Sequence, residues 1–360
     1  MPHDRPHVAI VGAGVIGLAS AWSAERSGWR VTVIDPHPMH GASWAAAGML
    51  APVTESTPTE PGVLQLGLRA AALWPGFAEQ LSQDAGQPCG YNPAGTTVVG
   101  LDRDDATELR RLQDQLTALG LPFTPLAASQ ARAQEPALSP SLAAAMVVPG
   151  DTSVDNRALL GALSAVVDRR GITLVRERAT SVAADAVRTA SGGTIAADAV
   201  VVAAGIDSPA LVPGVDIRPV KGQILRVLMT AATGRLLSGT VRAAVHGRHV
   251  YLVPRSNGEI VIGATMEERG RDIAVTVGAV GDLLHDARLV VPGIDECELI
   301  ETWAGLRPVS RDNLPVMRVI DGVMVCSGHG RNGILLAPLA AQAVQDMLDS
   351  RRASDGGDLV

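Results

Sequence analysis

Apolar and polar positions alternate in two distinct rhythms over the first 35 residues. His7-Val8-Ala9-Ile10-Val11 is a short apolar run that ends at glycines, which predicts a buried strand. From Val15 to Ser27 the apolar positions, Ile16, Ala19 and Ala24 among them, follow helical spacing, and Gly28 supplies a stop. Arg30-Val31-Thr32-Val33-Ile34-Asp35 is β-branched and predicts a second strand. The segment Gly41 to Leu50 is apolar and rich in small residues, unlike a surface loop, whereas Pro52 to Gly62 carries Pro52, Pro58 and Pro61 and reads as a mobile connection. Helical spacing returns over Val63–Ala85, Ala106–Leu119 and Asn156–Arg170, with a strand at Thr96–Leu101 between the first two. Asp198 to Gly205 is an apolar run ending in glycine, as buried parallel strands do.

The rhythm changes after Pro219. Strand signals at Ile224–Met229, His249–Val253 and Glu259–Thr265 follow closely, with turns such as Ser256-Asn257-Gly258 between them. That pattern predicts antiparallel sheet and a second domain. A helix near Val277–Leu289, an apolar strand leading into Gly328-His329-Gly330, and a helix over Leu336–Leu348 complete the chain. The fold expected is α/β: a Rossmann-like nucleotide-binding domain with a second α+β substrate domain built on a mainly antiparallel sheet. The expected division is discontinuous, with residues 1–82, 146–215 and 302–350 in the first domain and 83–145 and 216–301 in the second. The polar tail, 351–360, is expected to be disordered.

Composition narrows the function classes. Thirty basic residues against 37 acidic give a formal charge of −7, which argues against a nucleic-acid partner. No apolar run reaches the roughly 20 residues of a membrane span, and no leader pattern precedes the first strand, so a cytoplasmic protein without membrane contact is expected. Cys89, Cys297 and Cys326 are scattered, with neither metal spacing nor a disulfide framework. No metal site is expected.

The loop Gly12-Ala13-Gly14-Val15-Ile16-Gly17 lies between a strand and a helix. Gly12 suits the tight turn, Gly14 the close approach of a pyrophosphate, and Gly17 the packing of helix on strand. The helix start offers free N–H groups and positive dipole to the phosphates. Eighteen residues after Gly17, Asp35 ends the second strand. Its carboxylate can accept the hydroxyls of an adenosine ribose and would repel a 2′-phosphate, which disfavours NADP. Placement at the start of the chain, with further small-residue segments at Ser43–Met49 and Gly328–Gly333, favours a buried, noncovalent FAD over a dissociable nicotinamide.

With these motifs in place the chain resembles, over nearly its whole length, the FAD-dependent amine and amino-acid oxidases related to D-amino-acid oxidase and sarcosine oxidase. The resemblance rests on the glycine loop, Ala45–Leu50, Pro219-Val220-Lys221-Gly222-Gln223, Gly263-Ala264-Thr265-Met266 and Trp303-Ala304-Gly305-Leu306-Arg307-Pro308. The run from Gly328 to Pro338 is more specific and is similar to that of the glycine oxidases of ThiO type. What the resemblance implies is oxidation of glycine or a similar small amine to an imine, with oxygen reduced to hydrogen peroxide, and a link to thiazole synthase in thiamine biosynthesis. It also leaves room for a homo-oligomer. Carried over by motif, Arg307 would clamp the substrate carboxylate and Tyr251 would hydrogen-bond the same group. Met49 and Met266 would wall the pocket, and His249 and Arg331 would line or close it. Beside the glycine loop and Asp35, the cofactor would touch Pro36, Ser43, Ala46, Ala47, Gly48, Met49 and Gly205. It would also touch Gly328, His329, Gly330, Arg331, Asn332, Gly333, Ile334 and Leu335.

A flavin carries the redox chemistry, so the protein needs to supply orientation and charge. A guanidinium is the natural clamp for a carboxylate, and no side-chain base is required, since solvent can take the ammonium proton. Lys221 is a candidate for assisting the reaction with oxygen. Gly330 stands where the family usually has an aromatic residue, and Arg318 where a glycine is common. Both bear on substrate range, and Gly330 motivates an alternative, a D-amino-acid oxidase or dehydrogenase of broader range. A further alternative is a flavin-binding partner subunit with little turnover. The chain alone leaves open whether residues 54–62 form a lid.

Overall fold

The structure, a computed structural model, describes residues 5–355. The first half of the architecture is a six-stranded sheet in the spatial order Val316–Ile320, Val323–Ser327, Ala199–Val202, His7–Val11, Arg30–Ile34, Thr173–Val175. All neighbours are parallel except the Val316–Ile320/Val323–Ser327 pair. Both faces are covered, which is why the inner strands His7–Val11, Ala199–Val202 and Val323–Ser327 are buried along their whole length rather than alternating. On one face the helices Val15–Arg26, Pro61–Ala85, Asn156–Arg169 and Ala337–Asp355 bury Leu18, Trp22, Trp74, Leu159 and Leu163 against Val8, Ile10 and Val201. On the other, Ala9, Val11, Val200 and Val202 meet Val187, Val212 and Val215, beneath the three-stranded meander Ala179–Ala183, Ala186–Thr189, Thr194–Ala196.

The second sheet has eight strands, in the order Glu298–Ser310, Ile217–Leu228, Glu259–Gly263, Arg248–Pro254, Thr240–Val245, Thr96–Gly100, Ala144–Val148, Thr124–Leu126. Only the Thr240–Val245/Thr96–Gly100 pair is parallel. Strand alternation gives this sheet two faces with different partners. Leu225, Val227, Val250, Leu252, Ile260 and Ile262 face the helix Val277–Val290 and form one core. The alternate residues Ile224, Val253 and Val261 form a second, smaller cluster with Ala47, against which Met49, Tyr251, Ala264 and Trp303 pack. Ala47 and Met49 come from the nucleotide-binding half, so this second face is where the two halves of the chain meet. A one-residue slip of any of these strands would exchange the two faces.

Two expectations are corrected. The domain boundaries drawn at 146 and 302 cut through strands. Ala144–Val148 lies wholly in the eight-stranded sheet, and Glu298–Ser310 pairs with Ile217–Leu228 along its full length, from Ser310 opposite Ile217 to Glu298 opposite Leu228. The expectation of disorder from 351 is also corrected, for residues 351–355. Helix continues to Asp355, and Arg352 holds it by stacking over Trp29 at 5.7 Å and donating to the Ser27 carbonyl at 3.4 Å. Residues 356–360 of the expected tail lie outside the described residues.

Candidate active site

The glycine loop assumes the geometry its spacing called for. Gly12 has φ +109°, and a side chain there would stand 2.4 Å from the Ala203 carbonyl oxygen. A Cβ on Gly17 would stand 1.9 Å from the Gly12 carbonyl oxygen, so helix and strand could not close together with any larger residue. Gly14 differs: a Cβ there would meet only the Ser43 hydroxyl, at 3.1 Å, leaving an open cradle beside the helix start. Ser43 Oγ accepts from the Val15 N–H at 3.0 Å, and among the described residues the N–H groups of Ile16 and Gly17 find no acceptor. Asp35 accepts from the N–H of Ala13 and from that of His37, both at 2.7 Å, bracing the loop from the end of the second strand next to Pro36. Free N–H groups, an open cradle and a carboxylate at its rim are the chemistry of an adenine dinucleotide site.

The segment Ser43–Gly48 runs alongside as a short helix, Ala42–Ala45, followed by extended Ala46 and by Gly48 at φ +74°. Asn156, fully buried at the start of its helix, is its anchor. Its Nδ2 donates to the Ser43 and Trp44 carbonyls at 2.9 and 2.8 Å, and its Oδ1 accepts from Arg226 at 3.0 Å and from Arg255 at 3.2 Å. Arg255 also donates to the Ala47 carbonyl. Burial pushes the Arg255 guanidinium down to about 10, which leaves it charged at neutral pH. Glu259 and Glu301 accompany Arg226, at 3.0 and 3.8 Å, and Arg157 reaches Glu301 at 2.7 Å while its guanidinium covers Trp44 at 4.0 Å. This network was not anticipated from the sequence.

The third segment of the cradle is Gly328–Leu335. His329 is buried, its Nε2 has no partner among the described residues, and burial pushes its pKa down to about 4, so it is neutral. Gly330-Arg331-Asn332 form a 3₁₀ turn leading to Gly333. Ile334 and Leu335 put their side chains into the core, the Leu335 carbonyl accepts from Trp74 Nε1 at 2.8 Å and the Ile334 carbonyl from the Ala337 N–H at 3.2 Å, which leaves their backbone N–H groups to meet a cofactor. Gly205 lies at the end of the neighbouring strand, where its carbonyl accepts from Ser327 at 3.2 Å. Cys326 faces the last helix, its thiol pushed up to about 12 by burial. The orphaned His329 nitrogen, the open Gly14 cradle and the unpaired helix-start donors all fit an FAD laid across these three segments.

Glycines also shape the substrate end. Arg307, opposite Val220 in the strand pairing, reaches back over Gly222 and donates to the Thr265 and Lys221 carbonyls at 3.1 and 3.4 Å. A Cβ on Gly222 would stand 2.3 Å from an Arg307 guanidinium nitrogen. Tyr251 lies over Gly263 in the same way, a Cβ there standing 2.5 Å from the phenol oxygen. The two bare backbone positions therefore let Arg307 and Tyr251 lie flat across the sheet and converge. Burial raises the Tyr251 pKa, and the nearby Arg307 and Arg242 charges oppose that without overcoming it. The phenol stays protonated and can donate.

Arg242 is a residue that sequence reasoning missed. It is the direct strand partner of Tyr251, and its Nη1 lies 2.8 Å from Glu55 Oε1 and 3.7 Å from Met49 Sδ. Glu55 sits on the proline-bearing segment, which is held at several points. Asp151 accepts from the N–H groups of Val53 and Thr54 at 3.1 and 2.6 Å, and burial raises its pKa to about 6. Arg331 donates to the Glu55 carbonyl at 3.1 Å and to Glu60 at 2.6 Å. Burial of Glu60 opposes its ionisation, but the bonds from Arg331 and Asn313 outweigh that and hold its carboxyl below the usual range.

Of the six residues expected at the substrate, Arg307 and Tyr251 come together directly, Met49 packs against the same apolar cluster as Tyr251, and Arg331 joins them through Glu55. Two do not. The His249 side chain is 63% exposed with its Nε2 3.3 Å from Glu108, and Met266 is 73% exposed in the loop beyond Gly263. Lys221 is also placed elsewhere. It lies on the opposite face of the sheet from Arg307, fully buried, with its ammonium 2.8 Å from Asp272.

The family model described as FAD dependent oxidoreductase matches residues 7–347. The chain is 34% identical to the glycine oxidase of Geobacillus kaustophilus (strain HTA426), covering 97% of this chain and 94% of the relative. A crystal structure of glycine oxidase from Geobacillus kaustophilus superimposes with a TM-score of 0.87 over 96% of this chain and 95% of the other. The chain is 29% identical to the bifunctional protein ThiO/ThiG of Trichormus variabilis, over 96% of this chain but only 53% of that protein, so it spans about half the length of that relative. The structure of an iminodiacetate oxidase from Chelativorans sp. BNC1 superimposes with a TM-score of 0.84 at 26% identity, covering 95% of each chain. Among the described residues, no helix is long and apolar enough to cross a membrane. On its nucleotide cradle, its second sheet and its match from residue 7 to 347, the chain belongs to the FAD-dependent oxidoreductase family.

Proposed function

We propose that this protein is an oxidase of glycine and similarly small amines, converting the substrate to an imine that water hydrolyses to a 2-oxo acid. The observation that carries this reading is the convergence of Arg307 and Tyr251 on the face of the sheet that meets the cofactor cradle. A guanidinium beside a protonated phenol binds a carboxylate, and fixing the carboxylate fixes Cα. FAD, when bound, supplies the two-electron chemistry and passes the electrons to oxygen. The protein's own groups bind, orient and exclude water. Arg307 exchanges its bonds to the Thr265 and Lys221 carbonyls for the substrate carboxylate. Met49 closes the apolar wall, and residues 52–60 cover the side held by Arg331. His249 and Met266 remain candidates for the outer rim of the pocket.

The names of the relatives support glycine as the substrate, and the fusion of ThiO with ThiG in one of them supports a role in supplying an imine for thiazole formation. Steady-state oxidation of glycine, sarcosine and D-alanine tests the substrate. Glycine or sarcosine is expected to lead in kcat/KM. D-alanine faster than both by tenfold or more would replace this proposal with a D-amino-acid oxidase.

A further inference from the structure

Arg307 is not the only cation at this end of the molecule. The strand register places Arg242 directly beside Tyr251, on the face that meets the cofactor cradle, so Tyr251 has one guanidinium on either side. Arg242 also touches Met49, which packs against the same apolar cluster as Tyr251 and Trp303. A single carboxylate held by Arg307 does not call on Arg242. Its present counter-ion is Glu55, which belongs to the segment held at Val53, Thr54 and Glu60 and not to the sheet.

We infer that Arg242 is a second carboxylate-binding residue of the pocket, that it fits the chain to amines carrying a carboxylate on each arm, and that Glu55 holds this subsite shut against smaller substrates. The inference rests on the proposed function above, because it takes Arg307 to hold the first carboxylate. An amine with two carboxymethyl arms would span from Arg307 past Tyr251 to Arg242, its second carboxylate displacing that of Glu55. One C–H and one N–H bond break and a C=N bond forms, the two electrons passing by way of the flavin to oxygen. Hydrolysis of the imine gives glyoxylate and glycine, so one dicarboxylate, one oxygen and one water yield one glyoxylate, one glycine and one peroxide.

The test compares iminodiacetate with sarcosine on the flavin-loaded enzyme, since both are secondary amines and only the second carboxylate differs. The ratio of their kcat/KM values is expected to fall tenfold or more in Arg242→Met, to fall less in Arg242→Lys, and to rise at least fivefold in Glu55→Gln, where the competing charge is gone. Calorimetry with thiodiacetate, which has no amine to oxidise, supplies a readout apart from turnover. Its affinity should weaken in Arg242→Met and strengthen in Glu55→Gln, while that of methylthioacetate, with one carboxylate, moves less than threefold. The conservative Arg242→Lys and Glu55→Gln variants decide the matter if Arg242→Met does not fold. A ratio that moves less than twofold in both of them, or equal affinity for the two thioethers in the parent enzyme, overturns the inference while leaving glycine oxidation standing. If neither glycine nor sarcosine is turned over, the proposed function falls instead, and the thioether affinities still decide the role of Arg242.

Discussion

Gly222→Ala isolates the geometry of the substrate clamp from its charge. An added methyl would stand 2.3 Å from one Arg307 guanidinium nitrogen and 2.5 Å from the guanidinium carbon and the other nitrogen. Ordinary contact begins near 3.4 Å, so the guanidinium must lift by about 1 Å, a displacement large enough to spoil a two-point contact with a carboxylate. Losing most of one charge-assisted hydrogen bond costs about 2–3 kcal/mol, which is roughly 30- to 150-fold in binding. Stability should change little. Gly222 lies in a strand without positive φ, and the atoms that must move are the far end of a flexible side chain. The expected result is a melting temperature within a few degrees of the parent, unchanged flavin content, and a KM for glycine raised about 30- to 150-fold, with the affinity for methylthioacetate falling in parallel. Unchanged KM and unchanged methylthioacetate affinity in a correctly folded variant would refute the claim that Arg307, lying over Gly222, is the carboxylate clamp.

Two other perturbations address the cofactor cradle and its cover. Asn156→Asp keeps the acceptors for Arg226 and Arg255 but loses both donors to the Ser43 and Trp44 carbonyls. Two such bonds stabilise the segment by about 1–3 kcal/mol, so the Kd of the apoprotein for FAD, followed by fluorescence quenching, should rise roughly tenfold or more. Asp151, at a folded pKa of about 6 against an ordinary 3.8, binds its proton more tightly in the folded state, so its contribution favours folding at low pH and is lost as pH rises through 6. The shift corresponds to about 3 kcal/mol. The melting-temperature deficit of Asp151→Asn relative to the parent should therefore shrink between pH 4.5 and pH 7, and a deficit that grows over that range would contradict the assignment.

The nucleotide-binding half was legible because its signals are local. A strand, three glycines at fixed offsets, a helix and an aspartate at the end of the next strand specify one geometry whatever the rest of the chain does, and Gly12 and Gly17 take up the turn and the close packing expected of them. Arg307 and Tyr251 were reached only through a family resemblance. What brings them together is the bare backbone at Gly222 and Gly263, and that space exists only once the strands are in register. Arg242 and Asn156 were missed for the same reason. Ser43 lies 113 residues from Asn156, and although Tyr251 is the near hairpin partner of Arg242, the face the pair shares and the Glu55 counter-ion, 187 residues away, emerge only once the sheet is assembled. Lys221 shows what parity decides: with Arg307 opposite Val220, the next residue along must face away. The boundaries at 146 and 302 failed because the motifs that guided them mark the ends of sheets poorly, and the tail because its anchor, Trp29, is remote in sequence.

The central claim, that an amine bound by Arg307 and Tyr251 is oxidised by FAD and oxygen, is tested most directly by adding glycine to the flavin-loaded protein without oxygen and then admitting air. The account predicts loss of the oxidised-flavin absorbance on adding glycine, its return in air, and one hydrogen peroxide per cycle. A flavin that keeps its colour with glycine, sarcosine and iminodiacetate alike, or one that bleaches and stays bleached in air, would contradict it.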